Sequence, residues 1–226
     1  MKILKILKGH NNSVLCILAL SIDRLISASA DTTIKIWDLA SGKSIATLYG
    51  HLGFVNSLQF SNNILYSCSH DFTIKMWNLK TYECIRNFKG HKNFITSIQL
   101  YSDNHIISGS HDCSIKIWEI ISGLNIKNLI GHTDAVTCLK LKNDLLFSCS
   151  WDKTIKIWNI FKEQIIKSFE GNDYPINSIL VLSNEILISG DWDGFIKLWD
   201  IKNGKCIHNF KAHKHRITCI ENFSNE

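Results

Sequence analysis

Five tryptophans, Trp37, Trp77, Trp118, Trp158 and Trp199, stand 40, 41, 40 and 41 positions apart, each followed by Asp, Asn or Glu. A chain that repeats at this period is built from supersecondary units that bury their apolar faces on one another. A second landmark keeps the same beat: Gly9-His10, Gly50-His51, Gly90-His91 and Gly131-His132, then Gly171-Asn172 and Ala212-His213. Residues 1–226 therefore read as a single array, with repeats at approximately 9–49, 50–89, 90–130, 131–170 and 171–211 and partial ends at 1–8 and 212–226.

Within each unit four short runs rich in β-branched and aromatic residues are bounded by turn formers. In the second unit they are VNSLQF, ILYSCS, TIKMWN and ECIRNF, separated by SNN, HDF and KTY. Connections this short join antiparallel neighbours. No run carries a helical apolar stripe, and with a single proline in the chain the turns fall to Asn, Asp, Ser and Gly. The class is all-β. Its strands are apolar on nearly both faces, as small sheets packed between neighbours require.

The Gly-His and Trp-Asp landmarks of this four-strand unit resemble the WD-repeat family of β-propellers, over Lys2 to Asn222. The resemblance implies five four-stranded antiparallel blades, with Gly-His before the innermost strand and Trp-Asp ending the third. It also implies a hydrogen-bonded tetrad in each blade. On this sequence the tetrads are His10, Ser27, Asp31 and Trp37; His51, Ser67, Asp71 and Trp77; His91, Ser108, Asp112 and Trp118; and His132, Ser148, Asp152 and Trp158. The fifth unit keeps Ser189, Asp193 and Trp199 but has Asn172 in the histidine position, so that blade is expected to be held less firmly. KILKIL at the start matches an outermost strand and ITCIENF at the end an innermost one, which adds one strand at each end. The two middle strands of that last blade are missing, leaving edges that invite pairing. The expectation is an incomplete or open propeller, closed by further blades, by a partner or by self-association.

His, Ser and Asp are also the letters of a nucleophilic triad. Four copies of one constellation argue for structure and against a single active site, so no enzyme is expected. His213 and His215, and Cys68 and His70, are close ligand pairs, without a second pair at zinc spacing. No phosphate loop occurs. No catalytic, metal or cofactor residues are therefore assigned. The net charge of +5 is spread without a basic run, which disfavours nucleic acid, and no apolar run reaches a membrane span. The first residues, MKILKILK and SVLCILAL, have the look of a secretory signal, but GHNN interrupts them and the pattern recurs downstream, so they read as structure. Cys16, Cys138 and Cys219 share a slot with Ser57, Ser97 and Ser178, and Cys68 and Cys149 one with Ala28, Gly109 and Gly190. This interchange reads as buried, reduced small fillers and a cytoplasmic or nuclear setting. Lys35, Lys75, Lys116, Lys156 and Lys197, two residues before each tryptophan, read as scaffold lysines whose ammonium reaches water.

On a repeat scaffold, identity lies where the repeat breaks. Before the tetrad Asp the units carry Ala30, His70, His111, Trp151 and Trp192; before the inner strand they carry Ser13, Phe54, Phe94, Ala135, Pro175 and Arg216. Both sets emerge on one face. Aromatic and Arg anchors dominate protein recognition, so Phe54, His70, Phe94, His111, Trp151, Trp192 and Arg216 are the candidate partner-binding residues. Lys89, Lys92, Lys211 and Lys214 flank them, which suits acidic or phosphorylated partner segments. The leading function is a non-catalytic protein-interaction scaffold; the alternative is the substrate-recognition subunit of a larger assembly such as a ubiquitin ligase.

Overall fold

The computed structural model describes residues 5–222. Five four-stranded antiparallel sheets follow one another along the chain, each in sequence order from its inner to its outer strand. The first comprises β1 (Val14–Ala19), β2 (Arg24–Ser29), β3 (Ile34–Asp38) and β4 (Lys43–Leu48). The second comprises β5 (Val55–Ser61), β6 (Ile64–Ser69), β7 (Thr73–Asn78) and β8 (Glu83–Lys89), and the third β9 (Ile95–Ser102), β10 (His105–Ser110), β11 (Ile115–Glu119) and β12 (Asn125–Leu129). The fourth holds β13 (Val136–Lys142), β14 (Leu145–Ser150), β15 (Ile155–Asn159) and β16 (Gln164–Phe169); the fifth holds β17 (Ile176–Val181), β18 (Ile186–Asp191), β19 (Phe195–Asp200) and β20 (Lys205–Lys211). No helix occurs among the described residues. Asn62-Asn63 and Asn143-Asp144 close two-residue hairpins with both residues at positive φ, the mirror-image turn that matches strand twist.

The core lies between blades. One cluster joins Ile26, Ile34, Ile36 and Leu48 of the first blade to Val55, Leu58, Leu65 and Trp77 of the second, and equivalent clusters fill the next three seams. Polar residues bridge these seams too. Asn56 Nδ2 donates to Ile95 O at 2.6 Å, Thr96 Oγ1 to Val136 O at 2.6 Å, Thr137 Oγ1 to Ile176 O at 2.7 Å and Asn177 Nδ2 to Ile217 O at 3.1 Å.

The two ends differ from the expectation of one added strand each. Residues 5–10 and 212–222 form no strand, although residues 1–4 and 223–226 lie outside the described part. Both segments nonetheless occupy strand seats. Ile217 is buried, its N–H donates to Asp191 O at 2.9 Å, and Ile220 N–H reaches Ser178 Oγ at 3.0 Å, the bond that Leu139 N–H makes to Ser97 Oγ two blades earlier. Lys5 Nζ donates to Leu39 O at 2.9 Å as Lys167 Nζ does to Ile201 O in the fifth blade. Without a neighbouring strand to pair with, these seats give no ladder. Beyond them the end faces are open: Phe210 is 48% exposed where Phe88 and Phe169 are 0%, and Ile17 is 62% exposed where Ile98 and Leu139 are 0%.

Candidate functional site

The face that carries the candidate residues is held in place by the tetrads. Asp71 Oδ1 accepts its own turn's Thr73 N–H at 3.0 Å and hydroxyl at 2.6 Å, while Oδ2 takes the Leu52 N–H at 3.0 Å and His51 Nδ1 at 2.7 Å. His51 Nε2 lies 2.7 Å from Ser67 Oγ, which accepts the Trp77 indole N–H at 2.8 Å. The same chain runs through His10, Ser27, Asp31 and Trp37, through His91, Ser108, Asp112 and Trp118, and through His132, Ser148, Asp152 and Trp158, with His–Asp contacts of 2.8, 2.7 and 2.6 Å. Burial drives the His51 and His91 imidazoles below their ordinary pKa despite the facing carboxylates. A neutral ring with Nδ1–H toward Asp and Nε2 accepting from Ser satisfies every member. Burial alone would raise Asp71 and Asp112, but hydrogen bonds led by those from His51 and His91 hold both well below the usual carboxylate range.

Sequence reasoning missed two members of this network. Thr33, Thr73, Ser114 and Thr154 donate their hydroxyls to the tetrad carboxylates, and Ser29, Ser69, Ser110 and Ser150 accept the Asp N–H while donating to the loop carbonyl before the inner strand. The signal was the recurring pattern S-x-S-x-D-x-[ST].

The fifth blade departs from the tetrad expected of it. Trp199 still donates to Ser189 Oγ at 2.9 Å, but Asp193 turns outward to Lys211 Nζ at 2.8 Å and is not a tetrad member. Its turn role passes to buried Asp191, which stands in the serine slot and accepts the Asp193 and Phe195 N–H groups at 3.0 and 2.9 Å. Asn172 reaches across to Lys153 O at 3.0 Å, and its own buried Oδ1 has no protein partner. Gly194 is required here at φ +86, because a side chain would meet the carbonyl oxygen of His213.

Two further expectations are corrected. The serine and cysteine slot is a hydrogen-bond acceptor between blades, as Ser97 and Ser178 show, rather than a purely apolar filler. Cys68 and Cys149 are buried, Cys16 and Cys138 half-buried and Cys219 exposed. The lysines before the tryptophans are drawn inward: Lys75, Lys156 and Lys197 are buried, and Lys35 and Lys156 donate to Thr47 and Ser168 on the outer strands at 2.9 and 3.1 Å.

All seven candidate residues meet in one arc. The Phe54 ring stacks 5.0 Å from His70, His70 lies 4.1 Å from Phe94, and Phe94 is 5.6 Å from His111. His111 is 4.6 Å from Trp151, Trp151 is 5.2 Å from Trp192, and the Arg216 guanidinium sits 6.0 Å from the Trp192 ring. Each turn thus leans on the next blade's loop. Phe54 is 43% and Trp192 41% exposed, and the rings between them are half-buried. Both indole N–H groups converge on Asn177 Oδ1, at 2.6 Å from Trp192 and 3.4 Å from Trp151, so the arc presents ring surface rather than donors. Burial lowers the His70 and His111 pKa values, which leaves Arg216 as the arc's only charge at neutral pH. Sequence reasoning missed Phe72, which is exposed and 5.8 Å from Phe94, and Tyr174, stacked 6.4 Å from Phe195 beside Lys211. Both break the repeat, Phe72 standing where other units have Thr32, Cys113, Lys153 and Gly194.

The family model described as "WD domain, G-beta repeat" matches residues 1–38, 42–78, 82–119 and 123–159, which hold all four complete tetrads. The chain belongs to the WD40 repeat family. A second model of that family, for the anaphase-promoting complex subunit 4 WD40 domain, matches residues 142–225. Among curated proteins, this WD40 chain is 46% identical over 55 residues to F-box/WD repeat-containing protein 7 of Drosophila melanogaster, covering 24% of this chain and 4% of that one. It is 40% identical over 67 residues to pre-mRNA-splicing factor PRP46 of Kluyveromyces lactis, covering 29% and 15%. Among solved structures, the computationally designed protein Ika8 superposes with a TM-score of 0.81 at 33% identity, covering 96% of this chain and 68% of that one. U3-55K superposes with a TM-score of 0.83 at 25% identity, covering 92% and 67%. The WD40 chain thus spans a small part of its curated relatives and about two thirds of these structures.

Proposed function

We propose that this WD40 chain is a non-catalytic scaffold that holds a partner peptide or domain on the aromatic arc of its loop face. WD40 proteins generally act as protein-interaction scaffolds. The observation that carries the reading here is the unbroken series from Phe54 to Arg216, assembled from the positions that depart from the repeat. Ring faces with tethered N–H groups suit apolar and aromatic partner side chains, and Arg216, exposed and without a carboxylate partner among the described residues, suits an acidic or phosphorylated one. The serines of the His–Ser–Asp sets are no nucleophiles: Ser67, Ser108 and Ser148 are fully buried and engaged by indoles. The eight free thiols fit a reducing cytoplasm or nucleus.

The test is affinity capture with the wild-type chain and with Phe54→Ala/Trp192→Ala, read by quantitative mass spectrometry. Loss of an anchor of this type weakens binding by about 2 kcal/mol or more, roughly 30-fold. A partner set unchanged by the double substitution would refute the arc as the contact. Similarity to an F-box/WD repeat protein favours a second reading, substrate recognition within a ubiquitin ligase; a captured set without ligase components would sink it.

A further inference from the structure

The register of β13 on β14 places Cys138 directly opposite Cys149. Opposed residues of an antiparallel pair share a face, with Cα atoms about 4.5–5.5 Å apart. That spacing falls inside the range of about 4.4–6.8 Å that a disulfide accepts. The fourth blade alone has thiols at both positions; the other blades pair Cys16 with Ala28, Ser57 with Cys68, Ser97 with Gly109 and Ser178 with Gly190.

The two sulfurs are not equivalent. Cys138 is half-buried and lines the axial channel of about 570 Å³ beside Lys140, Cys219 and Glu221, whereas Cys149 is fully buried behind it, with Thr137 Oγ1 at 3.3 Å from its sulfur. A hydrogen bond from the Cys149 thiol holds Cys138 below the ordinary thiol pKa, and burial pushes Cys149 well above it. The sulfur of the channel-lining residue therefore has the thiolate character that oxidants seek, and the one behind it waits as its partner.

We propose that Cys138 and Cys149 form a redox-active dithiol, a modification site at which hydrogen peroxide converts the pair to an intrablade disulfide. The Cys138 thiolate attacks one peroxide oxygen, the O–O bond breaks, and Cys138 becomes a sulfenic acid as hydroxide leaves. The Cys149 thiol then attacks that sulfur, the S–O bond breaks, the S–S bond forms and water departs. Two thiols and one peroxide give one disulfide and two waters. Cys138 packs against the cluster that joins Phe147 and Cys149 of the fourth blade to Ile176 and Ile179 of the fifth, so oxidation acts on the seam between those blades.

The experiment treats the full chain with hydrogen peroxide, then maps disulfides by mass spectrometry of a non-reducing digest. The expected product links Cys138 to Cys149, lighter by two hydrogens, lowers the count of eight thiols by two and reverts with a thiol reductant. Cys149→Ser, whose hydroxyl keeps a donor toward Cys138 but cannot form a disulfide, should trap Cys138 as a sulfenic acid that dimedone labels. Cys138→Ser, matching Ser97 and Ser178, should leave Cys149 unmodified. A link from Cys138 to Cys219, or oxidation confined to the exposed Cys84 and Cys206, overturns the proposal.

Discussion

Truncating Trp158 to alanine separates the tryptophan that builds a blade from Trp151, seven residues earlier, which lies in the arc. Trp158 is 1% exposed and fills the third seam against Ile107, Ile115, Ile117 and Leu129 of one blade and Val136, Leu139 and Leu146 of the next. Its ring is hemmed in on the loop side, 3.0 Å from where a Cβ on Gly131 would sit, so the site cannot collapse freely. A buried Trp→Ala change costs about 3–5 kcal/mol. Loss of the 2.7 Å indole bond to Ser148 Oγ adds about 1 kcal/mol. The sum of roughly 4–6 kcal/mol is a large share of the roughly 5–15 kcal/mol that holds a domain folded, and corresponds to a fall in Tm of roughly 10–20 °C for a chain of this size. Trp151→Ala removes a half-buried ring tilted against His111 and edge-on to Trp192, contacts of about 0.5–1.5 kcal/mol each, so its loss should be about 1–3 kcal/mol. Urea denaturation of both variants at neutral pH, with calorimetry, measures the difference. Equal losses, or a larger loss at Trp151, would refute the assignment of roles.

Stability should fall on mild acidification. The folded pKa values of His51 and His91 lie below the unfolded value of 6.5, so below about pH 6.5 the unfolded chain binds protons that the folded one does not; a Tm that stays flat or rises from about pH 8 to about pH 5 would count against neutral tetrad imidazoles. Asn172→His alone should not raise Tm, because Asp193, the tetrad carboxylate of the other blades, is turned to Lys211; a gain of more than about 1 kcal/mol would mean that Asp193 swings back. Phe88→Ala should cost about 3–5 kcal/mol and Phe210→Ala under half of that, since the equivalent rings are 0% and 48% exposed; equal costs in denaturant would show the end face to be covered. The open faces at Ile17 and Phe210 also predict concentration-dependent association, which light scattering over a dilution series would contradict by showing a monomer throughout.

Blade count, strand order and the four complete tetrads were legible along the chain because each is local to one unit and is spelled out several times. His51 to Asp71 or Ser148 to Trp158 needs only a hairpin's reach, and repetition separates the pattern from chance. The fifth blade misled for the same reason: Asp193 keeps the family position, yet the side chain two residues earlier, Asp191, was free to take the turn. The terminal segments misled because their seats depend on the preceding or following blade, while a strand depends on a neighbour to pair with.

Sequence alone determined the unit and the positions where the unit changes, Trp151 and Trp192 among them, since both follow from comparing one repeat with the next. Only the tertiary structure decided what those positions touch. The seams between blades are set by side chains about forty residues apart, such as Asn177 with Ile217 and Ser97 with Leu139, whose polar types look solvent-facing in a strand until the next blade is laid against them. Radial packing likewise turned seven scattered repeat-breakers into one continuous arc, because blades that differ in sequence position by one period become nearest neighbours in space.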